Sequence, residues 1–153
     1  HLSLRRQRQM CIRDSAGEAK GAGSIWETIK KLKSKRIGHG VRCTEDKELV
    51  KYLKENDYHL EICVSSNIKT KTFNKIEYHP ISDIFNSSIS LSINTDGRTI
   101  SDTSLTNEYE IISNNYNWSI KDFKLCNLEA IKHSFTSDNV KKYLSNIINT
   151  EYV

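Results

Sequence analysis

The 153-residue sequence predicts an α/β fold assembled from parallel βα units. Three observations carry that prediction. Short apolar runs alternate with amphipathic stretches in the order strand, helix, strand, helix, strand, helix. The segment SISLSINTD sets Ile89, Leu91 and Ile93 against Ser90, Ser92 and Asn94, the period of two of a strand. The stretches between the strands repeat their apolar residues at helical spacing behind recognisable start signals. Three strands do not close a barrel, which takes eight and about 250 residues, so the expected sheet is either small and open or one part of a larger barrel.

Taken in order, SIWETIKKLKSK predicts the first helix. Ser24 and Glu27 have capping-box spacing, Ile25, Ile29 and Leu32 share a face, and lysines gather at the carboxyl end. RIGHGV reads as a short strand running into a loop. Thr44 is the expected cap of a second helix to about Asn56, with Leu49, Val50 and Leu53 inward. YHLEICVSSN reads as a second strand ending in Ser65, Ser66 and Asn67. Pro80 suits the start of a short helix holding Ile81, Ile84 and Phe85. After the third strand come three helices, from about Thr106 to Asn115, Ser119 to His133 and Ser137 to Ile148. Ser119 and Asp122 give the second of these a capping box ahead of the apolar positions Ile120, Phe123, Leu128 and Ile131.

Composition narrows the function classes. The net charge is +4, but residues 1–14 hold four arginines against one aspartate, leaving about +1 for the rest. The remainder lacks the basic excess of a phosphate-binding face, so no nucleic-acid partner is expected. Residues 1–14 have no clear period and read as a foreign leader, with the domain expected over 15–153. No apolar run reaches bilayer-spanning length and no secretory signal is visible, giving the expectation of a cytoplasmic chain without a membrane partner. Cys11, Cys43, Cys63 and Cys126 are far apart, which argues for reduced thiols and against a zinc ribbon or redox pair.

Ligands in parallel βα folds bind at the carboxyl ends of the strands. That rule gathers Gly38-His39-Gly40, Ser65-Ser66-Asn67 and Asp96-Gly97 on one rim. His39 reads either as a backbone-bonded loop histidine or as a catalytic base that flanking glycines leave open to substrate. Asp96 is either an Asx-turn residue or a functional carboxylate, and Glu18 reads as an acidic residue before a helix. His59, His79 and His133 are assigned no chemistry. Gly17, Gly21 and Gly23 lack the Lys-Ser/Thr of a phosphate loop.

Read together, AGEAKGAGSIWETIKKLKSKRIGHGVRC, LEICVSSNIKT, SINTDGRTISDTSLTNEYE and FKLCNLEAIKHSF resemble the carboxyl-terminal part of the adenosine deaminase family, from Ser15 to at least Phe135. The resemblance implies the carboxyl-terminal portion of a TIM-type (β/α)8 barrel, here incomplete, with RIGHG, LEICVSSN and SINTD as its sixth, seventh and eighth strands. It implies a zinc-dependent hydrolase converting adenosine to inosine and ammonia, and deoxyadenosine in the same way to deoxyinosine. Glu18 then corresponds to the acid that protonates purine N1. His39 corresponds to the histidine beside the attacking water, and Asp96 to the carboxylate that binds the single zinc ion and that water. Four departures accompany it. Ser15 stands where the family has a zinc-ligating histidine, and no His-x-His pair supplies the other ligands. Gly97 stands where many members have a purine-binding aspartate, and Val64 where proline is common. The expectation is therefore an adenosine deaminase fragment, inactive alone, with a non-catalytic interaction domain as the alternative.

Overall fold

A computed structural model describes residues 16–32 and 34–152. The expectations for residues 1–14 and for Ser15 lie outside the described residues. Within them the elements run α1 (Gly21–Leu32), β1 (Arg36–Gly38), α2 (Lys47–Glu55), β2 (His59–Ile62), α3 (Val64–Lys69), α4 (Ile81–Asn86), β3 (Ser90–Ile93), α5 (Arg98–Ser101), α6 (Leu105–Tyr116), α7 (Ile120–His133) and α8 (Asp138–Glu151). Two 3-10 turns, Val41–Glu45 and Ile76–Tyr78, complete the order.

The strands form one parallel sheet in the order β1-β2-β3. Ile37 lies opposite Leu60, and Leu60 opposite Leu91, so three apolar side chains cross the sheet in register. All three are at most 2% exposed, and Leu49 and Leu53 of α2, Ile81 and Ile84 of α4 and Ile112 of α6 are fully buried in the same core. This is the α/β architecture of parallel βα units that the sequence predicts. The period of two in β3 is realised on both faces. Leu91 and Ile93 are buried among apolar groups, while Ser90 and Ser92 both meet the ring of His59 across the register, at 2.8 and 3.0 Å.

Several helix boundaries differ from expectation, each because a different donor or acceptor wins. The helix α1 begins at Gly21. Ser24 is not its cap: its hydroxyl donates to the Gly21 carbonyl and accepts from the Gly17 N–H, tying the helix to the preceding loop, and Glu27 turns to Lys31 instead. Thr44 lies within a 3-10 turn, and Asp46 caps α2 by accepting from the N–H groups of Glu48 and Leu49. The Asp46 carboxylate also accepts from the Trp26 indole at 2.9 Å, a bond to α1 that a threonine could not extend so far. The second strand stops at Ile62, and Ser65, Ser66 and Asn67 belong to α3. The short α5 after Gly97 was not anticipated. Pro80 does precede α4, and Ser119 donates through both N–H and hydroxyl to Asp122 at 2.7 Å, closing the expected box of α7. On that helix Phe123 and Cys126 are buried, whereas Ile120 is 59% exposed.

Candidate active site at the carboxyl rim

Each strand delivers its next residues to one rim. His39 follows β1 with φ of 59°, in the left-handed region that costs a non-glycine residue about 1 kcal/mol or more. Two backbone bonds over-determine it: its N–H donates to the Glu61 carbonyl on β2, and the Gly40 N–H donates to the Ala16 carbonyl, both at 2.9 Å. Ala16 thus pairs with His39 as a parallel bridge beside β1. The turn at Gly17 then places Glu18 against the histidine. Gly17 needs to be glycine, since φ is +74° and a Cβ would lie 2.4 Å from the Ile25 side chain.

The result is a buried polar network. His39 is 3% exposed and presents Nε2 to Glu18 Oε2 at 3.6 Å. Glu18 Oε1 accepts from Thr70 Oγ1 at 3.0 Å and from Asn67 Nδ2 at 3.2 Å. The same Asn67 amide donates to His39 Nδ1 at 3.2 Å, while its oxygen faces His79 Nε2 at 3.2 Å. The roles in this chain are fixed from one end. The Ile81 N–H donates to His79 Nδ1, so the His79 proton sits on Nε2 and donates to the Asn67 oxygen. Asn67 must then turn its NH2 toward Glu18 and His39. His39 Nδ1 accepts, which in the neutral ring leaves its proton on Nε2, facing Glu18. Burial holds His79 neutral by pushing its pKa down to about 3, with the nearby His39 adding to the shift.

Asp96 occupies a separate position on the rim. It follows β3 with φ of 54°, and its carboxylate accepts from Ser66 Oγ at 2.7 Å. The first turns of α3 therefore serve both groups, Ser66 reaching Asp96 and Asn67 reaching Glu18 and His39. Below them Glu108, fully buried, accepts from the Ser65 N–H at 3.1 Å and from Thr103 Oγ1 at 2.9 Å, which anchors the start of α3 to the loop beyond α5. Gly97 has φ of −66° and room for a Cβ, with Ile100 at 3.7 Å; lacking a side chain it offers no side-chain contact of its own.

The structure thus brings Glu18 and His39 together, seats Asp96 beside the helix that joins them, and leaves Gly97 without a polar group. Sequence reasoning placed Asn67 on the rim without a role and gave His79 none; both complete the network. No local pattern marks them, because His79 lies forty positions from His39 and meets it only through Asn67.

The family description "Adenosine deaminase" matches residues 5–151. An adenosine deaminase of Clostridium botulinum (strain Langeland) is 38% identical over 133 residues, covering 87% of this chain and 40% of that protein. Among solved structures, the adenine deaminase of Arthrobacter aurescens superposes with a TM-score of 0.85 at 26% identity, covering 88% of this chain and 41% of that one. The N6-methyl-AMP deaminase of Arabidopsis thaliana superposes with a TM-score of 0.77 at 31% identity, covering 89% and 40%. The chain spans about two-fifths of the length of these relatives. Its three parallel strands and their helices are a part of the TIM-type barrel, not a closed one. The chain belongs to the adenosine deaminase family.

Proposed function

We propose that the protein to which this chain contributes hydrolyses the 6-amino group of adenosine, releasing inosine and ammonia. Adenosine is preferred over adenine or N6-methyl-AMP as substrate because the 38% identity to an adenosine deaminase exceeds the 26% and 31% to the other two deaminases. The single observation that supports a deaminase rim is the contact between Glu18 and His39, locked by Asn67.

Replacing an amino group on a purine ring by hydroxyl requires a proton on N1, removal of a proton from water, and a proton for the departing amine. Glu18, the acid of the pair, gives the proton to N1. His39, buried and ordered at its Nδ1 by Asn67, carries its proton on Nε2 and orients the water by donating to its oxygen, while the water's proton passes to the Asp96 carboxylate and from there to the departing amine. Thr70 and Asn67 both donate to Glu18 Oε1, which leaves Oε2 for the proton to be moved.

Zinc is the cofactor the resemblance implies. On this rim the described residues supply Asp96 as a carboxylate donor, with one oxygen already accepting from Ser66. One carboxylate does not make a catalytic zinc site, which takes three protein ligands. The described residues of the rim do not hold the ion, and Asp96 is proposed as one ligand of a site whose remainder they do not provide.

Two assays test this reading. Purified chain given adenosine and zinc is expected to form no inosine; turnover near that of a complete enzyme refutes the incomplete site. Joined to the amino-terminal three-fifths of the Clostridium botulinum relative, the chain is expected to deaminate adenosine, with loss of about 100-fold or more in Glu18→Gln and His39→Ala. Full activity in either variant refutes the assigned roles, and preferential turnover of adenine refutes the substrate.

A further inference from the structure

A second polar cluster lies at the opposite ends of the strands. Asp57 sits two residues before β2, and Glu129 and His133 occupy the last turns of α7, one helical turn apart. Among the described residues this is the group in which three potential metal donors, one from each residue, lie within 4.8 Å of one another. His133 Nε2 is 3.5 Å from Asp57 Oδ1 and 3.6 Å from Glu129 Oε2. A tetrahedral ion with bonds of about 2.0–2.2 Å separates its ligands by about 3.3–3.6 Å, so the spacing needs little adjustment to accept one.

The histidine supplies the independent observation. Its side chain is 9% exposed, yet Nε2 is buried without a hydrogen-bond partner among the described residues and is aimed at the two carboxylates. A buried ring nitrogen left unbonded costs about 1–3 kcal/mol. Burial also lowers the His133 pKa, keeping the ring in the neutral form that ligates. Around the cluster, Glu129 Oε2 accepts from Ser90 Oγ at 2.5 Å, and the His59 ring stacks on His133 at 4.7 Å, fixing both donors from behind. Asp57, 60% exposed, leaves the site open to solvent for the remaining position.

We propose that Asp57, Glu129 and His133 form a binding site for a divalent transition cation of the zinc type, remote from the Glu18–His39 rim and independent of its function. One imidazole and two carboxylates select such an ion over the all-oxygen ligand sets of calcium and magnesium. In the metal-free chain the Lys132 ammonium takes the cation's place electrostatically, 2.7 Å from Asp57 Oδ1 and 3.6 Å from Glu129 Oε2. Half-exposed, Lys132 swings into water as the ion enters. It is a built-in competitor, and removing it strengthens binding.

Calorimetric titration with zinc chloride, paired with the visible spectrum of the cobalt-loaded chain, reads this out. One equivalent is expected to bind with a histidine-type cobalt spectrum. Binding weakens about 100-fold in His133→Gln and Glu129→Gln, and tightens about tenfold in Lys132→Gln as one competing charge is lost. Asp57→Asn, on the surface and without consequence for the core, repeats the loss should circular dichroism find His133→Gln unfolded. Loss in Asp57→Asn but not in Asp96→Asn separates this site from the rim. Equal affinity in the unaltered chain, His133→Gln and Asp57→Asn overturns the proposal, as does the absence of saturable binding in Lys132→Gln.

Discussion

His79 gives the network its polarity, and its burial in the neutral form is expected to cost the fold stability in mild acid, where the unfolded chain takes up the proton that the folded chain refuses. The side chain is 3% exposed, and burial depresses its pKa from 6.5 to about 3. The unfolded chain therefore binds a proton at His79 as pH falls through 6.5, while the folded chain does not until about pH 3. Stability is full above pH 6.5, lost progressively as pH falls, and levels off below about 3. The slope is about 1.4 kcal/mol per pH unit, so about 2 kcal/mol is lost between pH 6.5 and pH 5 from this residue alone. His79→Gln keeps an N–H donor for the Asn67 oxygen but cannot titrate. Urea denaturation of both chains at pH 7.0, 6.0 and 5.0 is the assay. Whatever its absolute stability, the variant is expected to lose about 2 kcal/mol less than the unaltered chain over that range. Parallel pH dependences would refute the buried, neutral His79 and with it the derived orientation of Asn67.

Gly40→Ala is expected to destabilise by about 1–3 kcal/mol, because φ is +66° and the new Cβ would approach Leu60 Cδ2 to 2.6 Å, whereas Gly23→Ala, with open space on α1, is expected to stabilise by about 0.5–1 kcal/mol; chemical denaturation of both variants checks the contrast. Asp46→Ala removes a helix cap and the Trp26 bond together, so a lower denaturation midpoint with altered tryptophan emission is expected. Burial raises the thiol pKa values of Cys43 and Cys126 to about 12 and pushes that of Cys63 up as well, so at pH 8 these three are expected to react with a disulfide reagent only after denaturant is added.

The sequence by itself determined the parallel α/β class, the place of the three strands and the position of His39 and Asp96 as rim candidates. These follow from local periodicity and from the rule that βα loops gather at the carboxyl ends, both of which survive without knowledge of distant contacts, whereas Glu18 is marked only by the resemblance to the family. Helix starts were less legible at Ser24 and Thr44, where a neighbouring loop or an aromatic N–H outside the local pattern decided which residue caps. Only the tertiary structure decided that Asn67 and His79 orient the Glu18–His39 pair, and that Asp57 meets Glu129 and His133. Both groupings join residues from separate elements. Their chemistry depends on which donor faces which acceptor, and that is set only when parallel register brings the strand ends and the packed helices into contact.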